Sequence, residues 1–290
     1  MNKLSLSEKI YVTCMYLLAL LCGLVCLLPV LNVLSRSLSS VTAMASGKVL
    51  FWPLDFHLEG WKYILERTSF LRTLGNSVIN TVIGTVLGVG VTTFTAFALS
   101  HTTLPGRKFF IYLYVTMMIF SAGTLPNYFQ IKDYGLLNTR WALILPHLIS
   151  SYYTFVLKNN FESIPSDLEE AARIDGASYW QILFKIILPV SKAYLATIVI
   201  FTAVGFWNRY FDALLYITDQ KLKPSALLLY EFIKLSTVED GMGEIELLAT
   251  VSPDIKNASI VMLTMLPILA IYPFMQRSFV KGAMAGSIKG

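Results

Sequence analysis

The chain has 290 residues, of which 55% are hydrophobic and only 14% charged, whereas a soluble globular chain carries about 25% charged residues. Together with a mean hydropathy of +0.61, this excludes a disordered segment, a secreted disulfide scaffold and a cytosolic enzyme, and leaves a polytopic membrane protein. The net charge of +5 then asks which side of the bilayer holds the surplus, rather than whether the chain binds nucleic acid.

A hydrocarbon core about 30 Å thick takes roughly 20 apolar residues as a helix. Runs of that kind predict an all-α fold with six spans, at about 12–34, 75–99, 109–126, 141–157, 194–217 and 258–276. The first run is longer than the roughly 7–15 apolar residues of a cleaved signal, so it is expected to persist as a helix. Cys14, Cys22 and Cys26 all fall inside it, with no His or carboxylate near them, and read as small buried apolar residues. Span two carries Gly84, Gly88 and Gly90 with Thr81, Thr85 and Thr92. Small residues at that spacing admit a close neighbour, from a partner chain or from this one. Pro29, Pro126, Pro146, Pro267 and Pro273 lie in or at the ends of spans, and kinks there are tolerated where neighbours or a wet cavity satisfy the freed carbonyls. His147, after Leu143 to Pro146, is a packing residue or lines a pathway.

The connection 158–193 contains two helix-start signatures, Ser166 with Glu169 and Ser178 with Gln181, each a capping box. Gly176 lies between them, where a left-handed residue ends a helix at little cost, and Pro189 ends the second. Two short amphipathic helices meeting at a glycine turn suit a protein-docking surface, or else lie on lipid. Span five holds Trp207, Asn208, Arg209, Tyr210, Phe211 and Asp212. Such a face suits sugar rings, which stack on aromatics and hydrogen-bond to amide and guanidinium groups. Arg209 and Asp212 at i and i+3 either neutralise each other or leave Arg209 to face an acidic sugar. The connection 218–257 is acidic near its end, with Glu239, Asp240, Glu244, Glu246 and Asp254.

No phosphate-binding loop, zinc-protease motif, CxxC pair or nucleophile elbow occurs, so no catalytic, cofactor-binding or metal-ligating residue is expected. Asp212 is the sole acidic residue inside the spans as drawn. Ion-coupled carriers place several such groups there, and internal inverted repeats are absent too. A transporter without either device draws its energy from another subunit.

Glu170-Ala171-Ala172, three residues, Gly176, nine residues and then Ile186-x-Leu188-Pro189 resemble the EAA loop of binding-protein-dependent ABC importer permeases. Asp175-Gly176-Ala177 is the form of the carbohydrate branch. The likeness continues through Leu28-Pro29 to Ser40, Asn76 to Gly84, Leu99-Ser100, Leu104 to Arg107, Pro126 to Tyr128, Tyr134 to Pro146, Trp207-Asn208 and Tyr272 to Gly290. The chain is similar to MalG-type subunits, and within them to the LplC/YtcP-type branch. The resemblance implies one type I importer transmembrane domain over residues 1–290. It implies a heterodimer with a second homologous permease, two copies of a cytoplasmic ABC ATPase, and an extracytoplasmic solute-binding protein. ATP and Mg would sit in the ATPase, with no cofactor in this chain. Glu170, Ala171, Ala172, Asp175, Gly176, Leu188 and Pro189 would couple the ATPase to the spans. Trp207, Asn208, Arg209, Tyr210 and Asp212 would line the pathway of an oligosaccharide, uronic-acid-containing or a complex glycan, and the acidic connection would reach toward the binding protein. A polyol or peptide is the alternative cargo, and a stand-alone carrier the alternative class.

The implied location is the bacterial cytoplasmic membrane with both termini inside. On that topology the inner segments hold eleven Lys and Arg against six Asp and Glu, which is the whole surplus. The basic residues alone divide almost evenly between the two faces, so the family loop orients the chain and charge only agrees with it.

Overall fold

The computed structural model describes residues 5–239 and 251–287, and the side chains of 5–234 and 251–271. Along these residues run α1 (Leu6–Ser37), α2 (Val41–Ala45), α3 (Glu59–Arg67), α4 (Phe70–Ser100), α5 (Arg107–Ile119), α6 (Thr124–Asp133), α7 (Arg140–Ile144) and α8 (Ser151–Glu162). Then follow α9 (Ser166–Ile174), α10 (Tyr179–Ile182), α11 (Leu188–Val190), α12 (Lys192–Trp207), α13 (Tyr210–Tyr216), α14 (Ser225–Glu239) and α15 (Pro253–Ser287). A 3-10 turn, Leu145–His147, follows α7, and a π-helical segment, Leu183–Ile187, joins α10 to α11. The only strand-like pairing among the described residues is one bridge, Ser39 to Phe56. The fold is all-α, as expected. The chain forms two compact units, Met1–Phe70 with Leu229–Leu266, and Leu71–Leu228 with Pro267–Gly290.

In the first unit α1 has 32 residues, about 48 Å at 1.5 Å per residue, ample for a span. Ser5 and Glu8 close a capping box at its start. None of its most apolar 18-residue window is buried within the chain. The three cysteines are therefore exposed and not buried as expected: a helix without intrachain neighbours turns every face outward. Its polar end is tied down. Ser39 Oγ donates to the Ser35 carbonyl at 2.7 Å and accepts from Leu54 N at 3.1 Å. Arg36 pairs with Asp254 at 3.1 Å. Asp254, counted above with the acidic connection 218–257, thus belongs to the first turn of α15. Glu239, Asp240, Glu244 and Glu246 lie outside the residues whose side chains are described. A Cβ on Gly60 would come within 2.6 Å of Ile255 Cγ2, so α3 rests directly on α15.

Three of the expected spans are single helices long and apolar enough to cross a membrane: α1, α4 and the apolar part of α15. The other three are interrupted, so the count of six is approximate. Span three does not run to residue 126. It stops at Ile119 and turns by 117° into α6, with Gly123 at φ +83° in the link. Span four is α7, the 3-10 turn containing Pro146, and α8, which starts at a Ser150 cap. Proline lacks the N–H an α-helix needs, and the ladder re-forms only after it. Span five breaks at Arg209, whose φ −82° and ψ 68°, with Tyr210 N donating to the Asn208 carbonyl at 2.9 Å, make an inverse γ-turn. Helix α14 was not expected. Its 15 residues, Glu231 and Lys234 among them, are too few and too polar to show as an apolar run of about 20.

Within the second unit, the glycines of α4 receive α12. A Cβ on Gly84 would lie 2.6 Å from the Phe206 ring, and one on Gly88 3.6 Å from Thr202 Cγ2, so these small residues serve an intrachain contact. At one end of the unit Arg140 donates to Asn76 at 2.6 Å and to Asn80 at 3.3 Å. Asn138, at φ 57°, accepts three hydrogen bonds at Oδ1, from Thr218 N and Oγ1 and from Asp219 N, at 2.6–3.0 Å.

Candidate functional site

The connection 158–193 folds as two helices about a glycine turn. Helix α9 ends in a Schellman motif: Ala177 N donates to the Ala172 carbonyl at 2.9 Å and Gly176 N to the Arg173 carbonyl at 3.0 Å. This closure requires a left-handed residue at Gly176, observed at φ +80°. The Ser178–Gln181 capping box forms. The one expected at Ser166 and Glu169 does not. Pro165 is the N-cap, no side-chain bond caps the helix, and Glu169 is engaged elsewhere. The second helix is also not uniform. Pro189 has no N–H to give the Lys185 carbonyl and crowds it at α-helical distance; the π-turn Leu183–Ile187 moves that carbonyl aside. The helix runs one residue past Pro189 and meets α12 at Ser191 with an 85° bend.

Of the Glu-Ala-Ala triplet, Ala172 faces inward, into a core with Ala96, Leu157, Phe161, Ile182, Leu183, Ile187 and Ile198. Leu188 packs against the same core. Glu170, Ala171, Asp175, Gly176 and Pro189 face out, next to Ile174, which is 88% exposed. So bare an isoleucine beside a one-methyl side chain makes an outer surface that a partner can approach closely.

What fixes α9 is His101, at the end of α4. Its Nδ1 lies 2.8 Å from the Phe97 carbonyl and its Nε2 3.1 Å from Glu169 Oε2. The ring thus bridges the last turn of α4 and the first turn of α9. The ring packs edge-on against Phe97 and Tyr179, and Arg173 lies over Tyr179 at 5.0 Å. Nearby, Glu162 receives Arg107 at 2.5 Å and Lys158 at 2.7 Å, which fastens the short 100–108 connection to α8.

A second polar cluster sits where two interrupted helices meet. Asp212 Oδ2 lies 3.0 Å from Arg209 Nη1 and 2.8 Å from His147 Nε2. His147 belongs to the 3-10 turn after α7, Arg209 to the γ-turn after α12 and Asp212 to the first turn of α13. The Arg209 guanidinium stands over the Phe206 ring at 5.3 Å. His147 lines two cavities, one of about 250 Å³ that includes Arg209 and one of about 370 Å³ that includes Asp212.

Residues 88–281 match the family of the binding-protein-dependent transport system inner membrane component. The chain belongs to that family. It is a permease subunit and not itself an enzyme. Among its relatives, the polygalacturonan/rhamnogalacturonan transport system permease protein YtcP of Bacillus subtilis (strain 168) is 38% identical over 98% of this chain and 100% of its own. Protein LplC of the same organism is 39% identical over 92% of this chain and 91% of its own. A chain of a bacterial ABC transporter involved in the import of the acidic polysaccharide alginate superposes with TM-score 0.86 at 29% identity, covering 96% of this chain and 100% of that one.

The permease brings some of the expected pathway residues together and not others. Arg209 and Asp212 share the cluster. Trp207 is buried on another side, in a small apolar pocket with Thr81, Pro267 and Ile271. Asn208 and Tyr210 are exposed at the break. His147 was expected either to pack or to line a pathway, and His101, Asn138 and Arg140 carried no signal in the sequence. His101 and His147 bond residues 68 and 65 positions away, and no local spacing reports such contacts.

Proposed function

We propose that this permease is the membrane half of an ATP-driven importer of oligosaccharides, among them uronic-acid-containing ones, and that it works with a second permease, two ATPase chains that bind ATP and Mg, and an extracytoplasmic binding protein. The observation that carries this reading is the loop around Gly176. A helix pair is held rigidly against α4 and α8 by Ala172, His101 and Glu169, and turns Glu170, Ala171 and Ile174 outward. A surface anchored to the spans on one side and open on the other is what a coupling element requires. Glu170, Ala171, Ala172, Asp175, Gly176, Leu188 and Pro189 form this element. The ATPase closes on it from the cytoplasm, which also places both termini inside, and the six spans act as one membrane domain. The acidic sugar polymers named for two of the relatives, and a guanidinium at the break of span five, support the substrate class.

Gly176→Pro tests the assignment. Proline cannot adopt a positive φ, so the turn opens while the spans are untouched. Membrane insertion stays normal, and both uptake and binding-protein-stimulated ATP hydrolysis disappear. Wild-type transport by this variant excludes the loop from coupling.

A further inference from the structure

We propose that Arg209 and His147 together bind the carboxylate of an acidic sugar unit, and that Asp212 is the resident carboxylate which the sugar displaces. The inference rests on the oligosaccharide-importer reading and adds a recognition element to it. A pair serving only to neutralise charge needs no second donor. Here two donors from two different interrupted helices converge on a single oxygen, Asp212 Oδ2, at 3.0 and 2.8 Å. Donors converging on one oxygen position, a guanidinium among them, are how proteins hold carboxylates.

The cluster is neither sealed nor on the open surface. The side chains of His147, Arg209 and Asp212 are 29%, 25% and 17% exposed. It also borders two cavities: His147 lines both, Arg209 only the smaller and Asp212 only the larger. A sugar moving between the cavities therefore meets this triad. The larger cavity offers Asn127, Gln130, Tyr134 and Tyr216, amides and phenols suited to sugar hydroxyls and ring faces. Arg209 is not held by Asp212 alone, since its guanidinium also lies over the Phe206 ring at 5.3 Å. Its Nε is buried and has no partner in the present arrangement, which leaves donor capacity for an incoming group.

The energetics favour an exchange. Removing Asp212 and leaving the Arg209 guanidinium unpaired in a partly buried site is costly. A uronate offers Arg209 and His147 another carboxylate, and Asp212 turns out into the larger cavity that it already lines. A neutral sugar offers no replacement, and the triad stays closed on itself. Arg209, His147 and Asp212 thereby discriminate by charge.

The test uses the complete importer in proteoliposomes and compares uptake of a short galacturonate oligosaccharide with uptake of its methyl ester, which has the same length and no charge. Arg209→Gln and His147→Gln are expected to lower galacturonate uptake about tenfold, as for loss of a charged hydrogen bond, and to change methyl-ester uptake little. Asp212→Asn removes the competitor, so it lowers the galacturonate concentration needed for half-maximal uptake while the methyl ester is unaffected. A structural triad gives a different pattern: all three variants impair both sugars equally, or none impairs either, and each result overturns the proposal. If the wild-type importer takes up neither sugar while its ATPase still responds to a loaded binding protein, the oligosaccharide reading fails first and this proposal with it. Equal wild-type uptake of both, with charge-blind variants, removes the proposal alone.

Discussion

Gly176 is open on its side-chain side, with nothing within 4 Å of the place a Cβ would occupy, so any penalty for substitution comes from the backbone. That penalty is about 1–2 kcal/mol for an ordinary L-residue in the left-handed region, is smaller for asparagine, and is most severe for a β-branched residue. Gly176→Asn is therefore expected to retain most of the ATPase stimulation by loaded binding protein, and Gly176→Val to lose most of it. The reverse order would mean that volume at the surface, and not the turn, sets the requirement. His101 supports a second expectation at this scale. His101→Leu keeps the bulk but removes both hydrogen bonds, each about 1.5–3 kcal/mol where a charged partner is involved, so transport should drop roughly tenfold. His101→Gln can still reach Glu169 and should recover part of it, as read by uptake at equal membrane levels. Equal activity in the two variants assigns His101 to packing alone. Asn138 gives a stability test. Asn138→Gly keeps the positive φ and loses three accepted hydrogen bonds, and Asn138→Ala adds strain to the same loss. Thermal midpoints of the purified permease pair should fall in that order.

Among the elements, α4 and α12 show most directly how packing reaches the site. Gly84 makes room for the Phe206 ring, and Phe206 in turn underlies Arg209. Gly84→Ala forces that buried ring to move, at about 1–3 kcal/mol for an overpacked contact, and displaces the platform of the guanidinium. Phe206→Leu in the same chain should restore the thermal midpoint but not the uptake, because the packing is relieved while the support for Arg209 is gone. Restoration of both would separate the helix contact from the polar cluster. The interruptions in spans three, four and five belong to this scale as well. Their prolines and glycines are visible in the sequence, but where each ladder re-forms depends on which neighbour satisfies the freed groups, as Ser150 does for α8. The capping box at Ser178 was legible because both partners are three residues apart and exposed. The one at Ser166 failed because the helix starts one residue earlier, with Pro165 as the N-cap and Ser166 already inside the first turn, and its glutamate meets a histidine 68 positions away.

For the whole molecule, apolar runs and the Glu170-to-Pro189 pattern were enough to recover the class, the family and the loop, since each of these is written in contiguous residues. The meeting of His147 with Asp212, and of His101 with Glu169, depends on which helices lie side by side, and no single stretch encodes that. Helix α14 stayed hidden for a related reason, since its charges resemble those of a loop until tertiary packing is known.

The 85° elbow at Ser191 has a mechanical meaning. The arm Tyr179–Val190 is part of the 158–193 connection, and the arm Lys192–Trp207 has 16 residues, about 24 Å at 1.5 Å per residue. Two stiff arms at nearly a right angle form a bell crank. If the elbow holds its angle, a tilt of the outer arm by about 10° swings the far end of α12 by about 4 Å for a lever of that length. Arg209 hangs just beyond that end. A displacement of that size exceeds the slack in a hydrogen bond of about 3 Å, so a modest rocking of the loop at one end suffices to part Arg209 and Asp212 from His147 at the other.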